Sequence, residues 1–136
     1  MLWRLLFPSW AFFDRVVAVP ALEVRTVDRV GDRTPWRPAL RAPSRGVLAL
    51  LYHPKGTLHL AQQGVVDRFA AECAMDEADE TTTALVAALA RVAVGDAEGV
   101  AWQWRVVEST PSAMAPAQVV FCSDELPVHD TPPDAR

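Results

Sequence analysis

The chain has 136 residues, of which 51% are apolar and 22% charged, and it carries a net charge of −4. That length suits a single domain with a core of its own, and the composition lies far from that of disordered chains. The acidic balance, with a pI near 5.3, argues against a nucleic-acid binder, which carries a dominant basic field.

The opening stretch MLWRLLFPSWAFFDR holds Trp3, Phe7, Trp10, Phe12 and Phe13. Pro8 and Ser9 interrupt its apolar run, and although Val19 and Ala21 imitate a cleavage site, Asp14 and Arg15 lie on the wrong side of it, so no secretion signal is expected. The charge-free runs at 5–13, 46–54 and 81–90 all fall short of the roughly 18 residues that a membrane-spanning helix needs. Pro8 disfavours helix at Phe7, so residues 2–7 are expected to be extended, with Ser9 capping a short turn from Trp10 to Arg15. Burying five aromatic rings of about 150–250 Å² each represents on the order of 20 kcal/mol of transfer free energy as an upper bound. Such a segment packs on something: its own domain, a partner, or the headgroup layer of a membrane.

Residues 21–29 begin with Leu22 and Val24 alternating against Glu23 and Arg25, the pattern of a half-buried strand. Residues 31–45 contain Gly31 and three prolines without any apolar period and are expected as a surface loop. Arg25, Arg29, Arg33, Arg37, Arg41 and Arg45 recur at every fourth position, but Gly31, Pro35, Pro38 and Pro43 forbid the helix that would align them. The apolar run 46–53 fits a buried strand or the start of a helix, and a strand at 47–52 is the expectation adopted.

Leu58, Ala61, Val65, Phe69 and Cys73 then recur at helical spacing and predict a helix over 57–75. Asp76, Glu77, Asp79 and Glu80 precede Thr81–Thr83 and a second apolar run that stops at Gly95. Negative charge before a threonine cap and glycine at the far end predict a helix over 82–94, antiparallel to the first. In EGVAWQWRVVE, Val100, Trp102, Trp104 and Val106 alternate with Gln103 and Arg105, a strand at 99–108; residues 117–123 are its expected partner. The chain from 126 to 136 reads as a disordered tail.

The charge is unevenly laid out. Residues 25–55 hold seven basic side chains against Asp28 and Asp32, a net of +5, whereas residues 56–136 hold four basic and thirteen acidic, a net of −9. Cys73 and Cys122 are the only cysteines and form no C-x-x-C pattern, which excludes a disulfide scaffold and a structural zinc site. Both are expected as buried thiols in a cytoplasmic, reducing compartment, with one Cys73–Cys122 bridge left open. His53 and His59 lie within a Pro-Gly stretch without an assignable third ligand, and the acids at 76–80 lack the spaced oxygens of a calcium loop, so no metal or cofactor is expected. No G-x-G-x-x-G, P-loop or G-x-S-x-G pattern is present, and no catalytic residue is assigned.

These readings combine into an α+β domain: a small antiparallel sheet of about four strands at 21–29, 47–52, 99–108 and 117–123, with an antiparallel helix pair packed on one face. Residues 1–20 form an aromatic docking segment, 21–125 the core domain and 126–136 the tail. The expected function is that of a non-catalytic accessory subunit docking on a larger protein complex, membrane-embedded or not. The anchor would be Trp3, Phe7, Trp10, Phe12 and Phe13, and the polar rim Arg29, Arg33, Arg37, Arg41 and Arg45, because aromatic residues and arginine dominate contact energies at interfaces. Arginine also suits an anionic membrane surface, reached from the cytoplasmic side. The competing reading is a small-molecule-binding domain or small enzyme whose pocket lies between sheet and helix pair, edged by His53, His59, Trp102 and Trp104.

Overall fold

The computed structural model describes residues 18–42, 54–95, 101–109 and 116–128. They form an antiparallel sheet with two helices on one face. The strands are β1 (Val19–Val27), β2 (Arg37–Pro38), β3 (Ala101–Ser109), β4 (Gln118–Cys122) and β5 (Leu126–Pro127), and the helices are α1 (Pro54–Ala74) and α2 (Glu80–Val94). The sheet runs β2-β1-β3-β4, with β5 sharing the β4 side of β3. The strand expected at 47–52 lies outside the described residues.

The long β1–β3 pair sets the register, with Leu22 opposite Val106, Val24 opposite Trp104 and Thr26 opposite Trp102. Because side chains alternate along a strand, these six share one face and bury it under the helices. Val66, Phe69 and Ala70 of α1 and Val86, Ala90 and Val94 of α2 close the core from above. At its centre the ring of Phe69 lies 5.7 Å from Trp104 and 5.3 Å from Phe121, while Trp104 and Phe121 are 4.9 Å apart. Those separations are the favourable range for tilted and edge-to-face rings.

Three expectations need correction. Within the expected loop at 31–45, the described part, 31–42, does not simply cross the surface. Asp28 Oδ1 accepts from the backbone N–H groups of Val30 and Asp32, both at 2.8 Å. Gly31 adopts a φ of 90°, a conformation that glycine takes without steric cost. The chain thus reverses tightly and runs back along β1: Thr34 N–H donates to the Thr26 carbonyl, Arg37 pairs with Val24, and Ala39 N–H donates to the Leu22 carbonyl. Pro35 and Pro38 are tolerated because, among the described residues, this ribbon is the edge of the sheet.

Residues 126–128 are not tail. Leu126 and Pro127 pair with Trp102 and Ala101, the Pro127 carbonyl accepts from Trp102 Nε1 at 3.2 Å, and Val128 is buried. Residues 129–136 lie outside the described residues. Neither cysteine is fully buried: Cys73 is half-buried, Cys122 is exposed on β4, and both are free thiols. An edge strand with only one face on the core leaves every second side chain in solvent, which is the position Cys122 takes.

Candidate interaction surfaces

The arginine ribbon divides into residues that hold it in place and residues that face outward. Arg33 pairs with Glu125 at 2.8 Å, tying the turn after β1 to the link between β4 and β5. Arg37 reaches over the sheet edge to donate to the Ala93 carbonyl at 3.1 Å, meeting one of the unpaired carbonyls at the end of α2. Arg91 serves the same end from within the helix, donating to the carbonyls of Gly95 and Val128. Cations there also complement the negative pole of the helix dipole. Arg29 and Arg41, by contrast, are exposed. Arg45 and the five aromatic residues Trp3, Phe7, Trp10, Phe12 and Phe13 lie outside the described residues, as does His53.

On the face of the sheet away from the helices, the register that buries Trp104 sets Glu23 opposite Arg105 and Arg25 opposite Gln103. Arg105 binds Glu23 through both Nε and Nη2 at 2.7 Å, and Arg25 Nε donates to Gln103 Oε1 at 2.9 Å. The ring of Trp36, carried on the ribbon, lies 4.3 Å from both guanidinium carbons. Such contacts stabilise by roughly 0.5–2 kcal/mol each, depending on how dry the site is. This cluster was not anticipated from the sequence. The outward alternation of Glu23, Arg25, Gln103 and Arg105 was visible, but the cross-strand register and the return of Trp36 were not.

The residues of the ligand-pocket reading are not assembled into an open site among the described residues. Trp102 and Trp104 are 5% and 2% exposed and form part of the core itself. His59 stands on α1, its Nδ1 buried without a hydrogen-bond partner. Among the described residues no group of three or more His, Cys, Asp or Glu side chains is placed to hold a metal ion. The same residues contain no helix long and apolar enough to cross a membrane.

The turn between the helices is organised by Glu72. Its carboxylate accepts from Arg68 Nε at 2.7 Å, and from the Asp79 N–H and the Thr82 hydroxyl, both at 3.4 Å. Asp79, not a threonine, is the residue at the start of α2, and its own side chain makes no capping bond. The Arg68 hydrogen bond, with the two weaker ones, holds the Glu72 carboxyl below its ordinary range. Burial, reinforced by the neighbouring Glu72 charge, pushes the Cys73 thiol up.

Both helices leave large apolar side chains in solvent: Leu58 and Leu60 on α1 are 60% and 70% exposed, and Leu85 and Val92 on α2 are 51% and 79% exposed. Comparison with known proteins supplies no relative for this arrangement: no family model, no curated protein and no solved structure matches the chain.

Proposed function

We propose that this protein is an accessory subunit that docks on a larger, membrane-associated protein complex in the cytoplasm. Its aromatic opening segment inserts into the partner, and the outward arginines of the ribbon ring that contact. The observation that carries this reading is the division of labour in the ribbon. Arg33 and Arg37 anchor it to Glu125 and to the end of α2, so that Arg29 and Arg41 are presented in solvent from a braced support. A braced arginine forfeits less side-chain and backbone freedom on binding than one on a floppy loop, and its planar fork suits carboxylates. The aromatic residues Trp3, Phe7, Trp10, Phe12 and Phe13 supply the large apolar contacts that concentrate binding energy at interfaces.

The test is purification of the tagged full chain from its own cells in mild detergent, with quantitation of proteins that elute in stoichiometric amount. A defined partner should elute with the wild type, disappear with the Trp10→Ala/Phe13→Ala variant, and fall several-fold with Arg29→Glu/Arg41→Glu. Retention of the same partner by both variants, with unchanged circular dichroism, would refute the docking role.

A further inference from the structure

The outward face of α2 has the pattern of a surface made to meet itself. Thr82, Val86, Ala90 and Val94 turn into the core, which leaves Thr81, Ala84, Leu85, Ala88 and Val92 on the opposite side at helical spacing, all exposed. Between Glu80 and Arg91 the helix contains no charged residue. Ordinary surface helices carry charged or polar residues on that side; here Leu85 and Val92 stand 51% and 79% exposed.

The borders of the face are distinct. Glu80 and Arg91 are eleven residues apart, close to three whole turns, and so lie along one border. Leu85 and Val92 are seven residues apart and lie along the other. The Arg91 guanidinium is fixed in position by the carbonyls of Gly95 and Val128. On the neighbouring helix, Arg68 and Glu72 neutralise each other in a 2.7 Å ion pair.

We infer that two copies of this chain associate through the outward faces of their α2 helices, packed antiparallel about a two-fold axis that passes between Ala84 and Ala88. This inference is independent of the docking reading. An antiparallel two-fold lays each border on its own equivalent, so Glu80 of one copy comes within a turn of Arg91 of the other, Leu85 packs beside Leu85 and Ala88 of the second copy, and Val92 comes level with its Thr81. A parallel two-fold would set the charged border against the apolar one. Ala84 meets Ala88 of the second copy at the centre, where small side chains let two helices approach to about 8 Å between axes. Antiparallel helix dipoles add to the preference.

The test is sedimentation equilibrium of the purified full chain over about 1–100 µM, the range in which a modest interface associates. The wild type should reach twice the 14.9 kDa protomer mass. Ala88→Lys should stay monomeric throughout with an unchanged circular dichroism spectrum, since its side chain points to solvent in the free protomer. Glu80→Arg, which sets like charges together, should weaken association by about tenfold. A second measurement fixes the geometry without relying on loss of association: Ala84→Cys protein mixed with Ala88→Cys protein under oxidation should form an 84–88 cross-link between copies. A wild type that remains monomeric at the highest concentration, an Ala88→Lys variant that still dimerises, or absence of the 84–88 cross-link overturns the proposal.

Discussion

Glu72 shows how much one side chain can organise. It stands at the end of α1, yet its carboxylate accepts from the Asp79 N–H and the Thr82 hydroxyl at the start of α2, doing from another helix what a local capping residue would do. Because its folded pKa is lowered from the ordinary value of 4.5, its stabilising contribution is fully present above that value. The contribution is lost as pH falls through the lower folded value, where the native carboxylate takes up a proton. Thermal unfolding of Glu72→Gln should therefore show a lower Tm than wild type near neutral pH. The gap should close as pH falls below 4.5; a gap that persists unchanged in acid would mean that the carboxylate charge is not what holds the turn. The acids and threonines of 76–83 mark the helix start in the sequence but point to a local cap. Glu72 was legible only as a polar residue, because the contact that gives it a role joins two helices.

At the scale of elements, β3 was plain in the sequence and α1 was only half so. Strict alternation of Trp102, Trp104 and Val106 with Gln103 and Arg105 admits one buried face, and the structure buries those three. Helix α1 carries apolar residues all round, and the stripe expected through Leu58, Ala61, Val65, Phe69 and Cys73 is rotated in the fold. Val66, Phe69 and Ala70 are buried, while Leu58 and Ala61 are exposed. A helix with several apolar stripes does not announce which one meets the sheet; the neighbouring helix and the Trp104 ring decide it. Phe69 belongs to both the expected and the observed stripe, and its ring contacts Trp104 and Phe121. Phe69→Ala should cost about 3–5 kcal/mol in denaturant unfolding; a loss below about 1 kcal/mol would show that the core is not centred there. Strand β5 is not legible in the sequence because two residues are too few to show a period, and the prolines of PVHDTPPDAR imitate a tail.

Over the whole molecule, the basic ribbon and the acidic half meet at particular points: Arg33 at Glu125, and Arg37 at the carbonyl end of α2. Exposed ion pairs of this kind contribute little stability, so the value of the first lies in placing the ribbon against the sheet edge. Arg29 and Arg41 stand exposed on the ribbon, and the aromatic opening lies outside the described residues. The account turns on whether the aromatic opening is part of the core or a docking element, and thermal unfolding of the full chain carrying Trp10→Ala/Phe13→Ala separates the two most directly. A Tm within about 2 °C of wild type is the result predicted for a segment that keeps its aromatic surface for a partner. A fall of roughly 10 °C or more, the signature of several kcal/mol lost from a core, would place those rings inside the domain and contradict the docking account.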